Sequence, residues 1–529
     1  MAGSIQVSHV SWRRPGGEEL LHDISFGVGE GQRAALIGAN GVGKTTLLRL
    51  ITGELSPTEG TISIDGRLGV MRQLVGTADT TPGAPTTVRR LLVSLAESGL
   101  QRAAVALERA EREAVEDPMR YADALAAWGD HGGYAAEVHW DECVMRAVGL
   151  DLATAESRPL RTFSGGEQKW LALEVLLRGD ADVLLLDEPD NFLDVPGKRW
   201  LERELNTTRK TVLYVSHDRE LLAATATRLV TVEPTGAWIH GGGFAGYTEA
   251  RRRHLDTQAK DRALFDNERQ RLEAVVAEMS RRAKMSENFA SRLKAAQSRL
   301  RQFLESTERP SDVREQRVDV RLGGARTGKR AVIIEDLELE GLTDEFDLEV
   351  WFGERVAVLG GNGVGKSHFL RLLAGDETVA HRGRSRLGAG VAPGLFHQTH
   401  EHAEWSGRML VEILHDHDVV LGPAMSMLRR YELQSCAEQP FDTLSGGQQA
   451  RFQILLLERS GATLLLLDEP TDNLDLVSAE ALEDGLAEFT GTVIAVTHDR
   501  WFLRGFDRFV VFGDDCSVTD HLAVPTAWR

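Results

Sequence analysis

A glycine-rich loop that occurs twice, 322 residues apart, sets the tightest limit on what this chain can fold into. The first copy reads Gly38-Ala39-Asn40-Gly41-Val42-Gly43-Lys44-Thr45, and the second Gly360-Gly361-Asn362-Gly363-Val364-Gly365-Lys366-Ser367. Each follows a short apolar run, Ala34 to Ile37 and Val356 to Leu359, and each precedes a leucine pattern at helical spacing. That is the strand, loop and helix context of a phosphate-binding loop. Glycines let successive backbone N–H groups turn inward, and the helix N-terminus adds favourable partial charge. Lys44 and Lys366 then reach terminal phosphates as point charges, while Thr45 and Ser367 offer a hydroxyl to Mg²⁺.

Downstream, the two halves repeat the same order of short motifs. Gln73 and Gln398 each follow an apolar segment. Then come Ser164-Gly165-Gly166-Glu167-Gln168 and Ser445-Gly446-Gly447-Gln448-Gln449. Apolar strands follow, Val183 to Leu186 ending in Asp187-Glu188 and Leu464 to Leu467 ending in Asp468-Glu469. A last strand ends in Ser216-His217-Asp218 and again in Thr497-His498-Asp499. Alone, a Gln is usually a surface residue, a His at a strand end is more often structural, and Ser-Gly-Gly is usually a turn. Ordered and duplicated, the set is specific.

The set resembles the ATP-binding cassette superfamily, and two cassettes with a helical linker and no membrane domain look like its ABC-F branch. The resemblance spans essentially the whole chain and implies an α/β fold: two tandem P-loop ATPase cassettes, each with a helical subdomain, joined by a helical-hairpin linker. The expected division is residues 1–246, with an arm-like insertion around 90–140, then the linker 247–330 and the second cassette 331–529. A single chain whose cassettes close head to tail around two ATP molecules is implied, with ATP and Mg²⁺ as cofactors. One composite site would use Gly38, Asn40, Gly41, Gly43, Lys44, Thr45, Thr46, Gln73, Asp187, Glu188 and His217, completed by Ser445, Gly446, Gly447 and Gln448. The other would use Gly360, Asn362, Gly363, Gly365, Lys366, Ser367, Gln398, Asp468, Glu469 and His498, completed by Ser164, Gly165, Gly166 and Glu167. Asp187 and Asp468 would hold Mg²⁺ with Thr45, Ser367 and the two glutamines, and Glu188 and Glu469 would orient or deprotonate the attacking water. His217 and His498 would meet the γ-phosphate, and both sites are expected to be competent.

Some positions depart from the family's usual pattern. Trp12 stands where a base-stacking aromatic is expected, but no aromatic lies among Glu335 to Leu342 in the second half. Phe192 replaces the usual His after the first acid pair, and His368 replaces a Thr or Ser. Inequivalent sites are expected.

Between the two cassettes, Phe265, Leu272 and Met279 recur every seven residues, and Phe289, Leu293, Ala296, Leu300 and Leu304 follow at helical spacing. Two single-stripe helices are predicted between Arg251 and Leu304. From Arg281 to Arg301 lie Arg281, Arg282, Lys284, Arg292, Lys294, Arg299 and Arg301 against Glu287, a local charge of +6 in a chain of net charge −19. A basic tip on an acidic protein points to a local polyanion contact. The alternative is a solvated interdomain coiled coil. By family resemblance the tip contacts rRNA and tRNA near the peptidyl-transferase region, either as a general translation factor or to dislodge antibiotics. The stretch Glu308 to Arg330 turns polar and glycine-rich and reads as a return loop. Between Gln73 and Ser164 lie 90 residues, against 46 between Gln398 and Ser445; the extra 44 form either a short ribosome-contacting arm or an enlarged helical subdomain.

Composition narrows the remaining classes. At 529 residues, two to four domains are expected. No run of eighteen apolar residues exists, and the N-terminal sequence lacks a secretory pattern, so a cytosolic location is expected. Cys143, Cys436 and Cys516 are scattered, which disfavours a metal or disulfide framework. A DNA-repair ATPase would call for zinc cysteines or longer coiled coils, and a non-catalytic scaffold for missing acids. The remaining competitor is the ATPase subunit of a drug exporter with a separate membrane partner.

Overall fold

The computed structural model describes residues 3–72, 86–113, 117–283, 290–306, 318–324, 327–397 and 402–528. Gln73, Gln398, Lys284 and Phe289 lie outside the described residues. The first half begins with β1 (Ser4–Arg13), β2 (Glu19–Val28), β3 (Arg33–Ile37), α1 (Lys44–Ile51), β4 (Glu59–Asp65) and β5 (Leu68–Met71). After a helical stretch come β6 (Val183–Asp187), β7 (Thr211–Val215), β8 (Arg228–Glu233) and β9 (Gly236–His240). Strands in the order β2-β1-β4 make a small antiparallel sheet, and β5-β6-β7-β3-β8-β9 a six-stranded sheet that is parallel except at the β9 edge.

The short apolar runs are uninterrupted because this sheet is covered on both faces. Side chains alternate across it: Ala34, Leu36, Val183, Leu185, Leu213 and Val215 join the core under α1 and the small sheet. Their neighbours Ala35, Ile37, Leu184, Leu186, Val212 and Tyr214 join the core on the other face.

The helical subdomain is α2 (Val88–Leu95), α3 (Ser98–Arg112), α4 (Pro118–Asp130), α5 (Gly133–Val148), α6 (Leu152–Ala155) and α7 (Gly165–Arg178). Leu100, Leu107, Trp128, Trp140 and Leu171 share one core, so the helices of this longer stretch pack on one another. The half closes with α8 (Val195–Thr207) and α9 (Arg219–Thr225).

The linker is α10 (Tyr247–Ala283) and α11 (Ala290–Ser306). At 37 residues, α10 is roughly 55 Å long. Phe265 is buried and stacks on Phe303, with ring centroids 5.0 Å apart. Leu293, Ala296, Leu300 and Phe303 form the half-buried stripe of α11, whereas Leu304, expected on that stripe, is 49% exposed. A two-helix seam alternates steps of three and four, so the residue after Leu300 is three positions on.

The second half repeats the plan with β10 (Arg330–Leu339), β11 (Phe346–Trp351), β12 (Arg355–Gly360), α12 (Lys366–Leu373), β13 (His381–Leu387) and β14 (Pro393–Phe396). It continues with α13 (Leu410–Asp416), α14 (Leu421–Arg430), α15 (Gly446–Arg459), β15 (Leu464–Asp468), α16 (Leu476–Glu488), β16 (Thr492–Val496), β17 (Arg508–Phe512) and β18 (Val518–His521). Its sheets have the orders β11-β10-β13 and β14-β15-β16-β12-β17-β18. Within the predicted return loop, Val320 and Leu322 are buried in this half's core, so that stretch is more than a solvent loop. The halves also exchange residues. Val195 belongs to the core of the second half and Leu476 to that of the first.

Candidate active sites at the cassette interface

Each phosphate-binding loop joins the end of a central strand, β3 or β12, to the helix that follows. Gly43 and Gly365 occupy the helix N-caps at φ 107° and 101°. A side chain at Gly43 would come within 2.8 Å of Leu21, so both conformation and space demand glycine. Lys44 Nζ donates to the carbonyls of Gly38 at 2.8 Å and Ala39 at 3.1 Å, and Lys366 Nζ to those of Gly360 at 2.7 Å and Gly361 at 2.6 Å. Burial lowers both ammonium groups below the ordinary lysine value, against the pull of nearby acids. A buried cation held by the carbonyls of its own glycine-rich loop is a charge placed to meet the phosphates of a nucleotide.

The acids stand at the ends of β6 and β15. Asp187 is 3% exposed, its Oδ1 has no hydrogen-bond partner, and its carboxyl, raised to about 6 by burial and by Glu188, also takes a hydrogen bond from Thr45. A hydroxyl and an orphaned carboxylate oxygen side by side are hard oxygen donors suited to Mg²⁺. Asp468 and Ser367 occupy the matching places in the second half.

Glu188 and Glu469 both sit in left-handed backbone, at φ 50° and 46°, which costs about 1–2 kcal/mol for a residue with a side chain. Their amides are tied to the next strand, Glu188 N to Val215 O and Glu469 N to Val496 O, both at 3.0 Å. The side chains are held differently. Asn191 Nδ2 donates to Glu188 Oε2 at 2.7 Å, and Lys169 Nζ donates to the Glu188 carbonyl at 2.8 Å. Glu469 Oε2 instead accepts from the His498 amide at 3.1 Å, and its Oε1 lies 3.5 Å from His498 Nε2. Burial, then Asp472, pushes the Glu469 carboxyl up to about 8. Burial lowers His217 to about 3, and His498 well below its ordinary value, so both imidazoles are neutral near pH 7. Trp528 stacks on His498 at 6.0 Å.

The Ser-Gly-Gly segments cap α7 and α15 through reciprocal side-chain and backbone bonds, Ser164 with Glu167 and Ser445 with Gln448. They face the opposite half. A side chain at Gly447 would meet Asn40 Nδ2 at 2.0 Å, and one at Gly166 would come within 3.6 Å of Asn362 Nδ2. Asn40 N donates to Asp475 Oδ2 at 3.0 Å, Asn40 Nδ2 to Asn473 O at 2.9 Å, and Asn362 Nδ2 to Phe192 O at 3.3 Å. The loop holding Lys44 therefore meets the segment of Ser445, and the loop holding Lys366 meets that of Ser164. Trp12 is half-buried beside the first loop's core. Matching the left-handed bulges at His9 and Asp336 places Leu339, fully buried, at its counterpart.

Far from these sites, Arg281 and Arg282 end α10, exposed and paired with Glu278 at 3.2 and 2.7 Å; Arg292 and Lys294 are exposed on α11. Residues not singled out by sequence also contribute. Lys169 was detectable as a difference between halves, since Ala450 takes its place; Lys198, buried 3.0 Å from Asp218, is likewise replaced by Ala479.

A family model described as ABC transporter matches residues 21–191 and 343–472. The chain is 51% identical over 546 residues to an antibiotic resistance protein of Mycobacteroides abscessus, covering 98% of each. It is 28% identical to ABC transporter F family member 2 of Arabidopsis thaliana, covering 96% of this chain and 76% of that one. In fold it is similar to an archaeal ribosome recycling factor, aABCE1, solved in complex with the ribosomal stalk protein aP1, with a TM-score of 0.56, 19% identity and coverage of 96% of this chain and 89% of that one.

Proposed function

This chain belongs to the ABC-F family of tandem ATP-binding cassette proteins, and from that premise we propose that it is an ATP-hydrolysing factor acting on the ribosome, with its linker hairpin as the working end. The observation that carries this reading is the reciprocal contact of each phosphate-binding loop with the opposite half, as in Asn40 with Asp475 and Asn473. A nucleotide seated there touches both halves, so its binding favours closure and its hydrolysis removes the bridge.

In each site the chain's own groups do the positioning on which phosphoryl transfer depends. Lys44 and Lys366 hold the terminal phosphates, and Glu188 and Glu469 orient and deprotonate the attacking water. His217 and His498, neutral, offer one ring N–H and one acceptor to the γ-phosphate and that water. Thr45 with Asp187, and Ser367 with Asp468, are the residues that would hold Mg²⁺, which neutralises the phosphate oxygens when bound.

The hairpin gives such closure something to move. Among the described residues no helix is long and apolar enough to cross a membrane, whereas α10 carries an exposed basic end. Structured RNA is read through shape and phosphates, which suits a narrow arginine-rich tip. The resistance named for the Mycobacteroides relative supports dislodging a ribosome-bound antibiotic as the specific use.

The test is co-sedimentation of the Glu188→Gln, Glu469→Gln variant with purified ribosomes, with and without ATP. ATP-dependent retention is expected, because binding persists while hydrolysis stalls. Absence of retention overturns the ribosomal reading and turns attention to a membrane partner.

A further inference from the structure

The histidine motif continues for one more residue in both halves, as His217-Asp218-Arg219 and His498-Asp499-Arg500. Neither arginine points into its own cassette's solvent face. Arg219 Nη1 donates to Glu483 Oε2 at 3.0 Å and Nη2 bonds Oε1 of the same carboxylate. Arg500 Nη1 donates to Glu202 Oε2 at 3.4 Å and Nη2 again bonds the second oxygen. Both pairs are two-pronged, both cross the interface, and both are shielded: the arginine side chains are 3% and 10% exposed.

The acceptors are equivalent. Glu202 lies eight residues after Asp194 and Glu483 eight after Asp475. Asp194 and Asp475 cap the N-termini of α8 and α16, and a spacing of eight returns close to the same face of a helix. Asp475 also accepts from the Asn40 amide, so α16 braces the first phosphate-binding loop at its N-terminus and the first histidine loop two turns later. On the other side, Phe192, just before α8, holds Asn362 of the second loop, and Glu202 on α8 holds the second histidine loop. One helix of each half, together with the turn that leads into it, thus grips both phosphate-facing loops of the opposite site.

We propose that Arg219 and Arg500 are positioning residues for hydrolysis: each clamps a histidine loop to the opposite cassette, so that His217 and His498 reach their working places only when the halves are closed. This rests on the reading of the two sites as ATPase sites. Bidentate arginine pairing fixes orientation as well as distance, which a lone surface charge pair does not.

The test measures ATP hydrolysis by the purified chain without ribosomes. Arg219→Gln and Glu483→Gln should each lower kcat by about tenfold while leaving KM for ATP within about twofold, the pattern of a lost contribution to the reacting arrangement. The reversed pair Arg219→Glu, Glu483→Arg should recover most of the loss, and Arg500 with Glu202 should behave alike. A single variant at wild-type kcat, or a folded reversed pair as slow as the single variants, overturns the proposal. Should a single variant fail to fold, the reversed pair alone decides by the same criterion. An unaltered chain that hydrolyses no ATP sinks the ATPase reading itself, a result separable from either outcome above.

Discussion

His217 shows how far burial can move a single group. Both ring nitrogens are enclosed without hydrogen-bond partners, and burial together with Lys44 lowers the imidazole to about 3. The sign of the stability effect follows. Between the ordinary histidine value and about 3, the unfolded chain carries a proton that the folded chain refuses, so stability falls on acidification, by up to about 1.4 kcal/mol per pH unit for one such group. Raised carboxyls such as Asp187 act in the opposite sense, so the comparison must be differential. Denaturant unfolding of wild type and His217→Gln from about pH 7 to about pH 4 should show a shallower loss in the variant; parallel curves would mean that the ring is protonated when folded. The positions of His217 and His498 were legible as motif, but their enclosure was not, since the groups that shut out water come from distant segments. The same holds for Lys198, which stands in the field of Asp190 and Asp218 of its own half and of Asp472 and Asp499 of the other.

At the level of elements, glycine loops and buried strands were readable, because each depends on residues within one or two turns. The hairpin was readable as two stripes, though the last contact of α11 is made by Phe303 and not Leu304. Its root was not. Tyr247, at the start of α10, stacks between Phe244 and Trp238 at 5.8 and 5.7 Å, and Phe244 meets Trp501 of the second half edge-on at 6.3 Å. These aromatics come from both halves, and the second histidine loop thereby touches the base of the linker. At the far end, Glu278 pairs with both Arg281 and Arg282, so the described part of the tip is less cationic than a count from Arg281 onward implies. Replacing Arg281 and Arg282 with Ala should reduce the slope of log affinity for ribosomes against log salt by up to about two, and Glu278→Gln should steepen it. An unchanged slope in both would return the hairpin to the role of a solvated coiled coil.

For the molecule as a whole, duplication does not mean equivalence. The first site has a lysine under its acid, an amide on its carboxylate and Trp12 at its edge. The second has an acid bonded to its own histidine loop, an aromatic stacked on that histidine, and Leu339 where Trp12 would be. In a Glu188→Gln variant, hydrolysis by the second site alone should therefore rise as the pH passes about 8, where Glu469 gives up its proton. Steady-state rates from about pH 6.5 to about pH 9 check this, and a flat profile would place the working carboxyl lower.

The two glycine-rich loops, the order of the motifs and the helical linker could all be read along the chain. Glycine conformations, caps and hydrophobic periods are set by neighbours along the chain. The meeting of the Lys44 loop with the Ser445 segment was already implied by the family resemblance, but that Arg219 grips Glu483, and that Val195 and Leu476 are buried in each other's halves, came only with the folded chain. Those contacts join residues hundreds of positions apart, and what fixes them is how two packed surfaces fit, which no local pattern records.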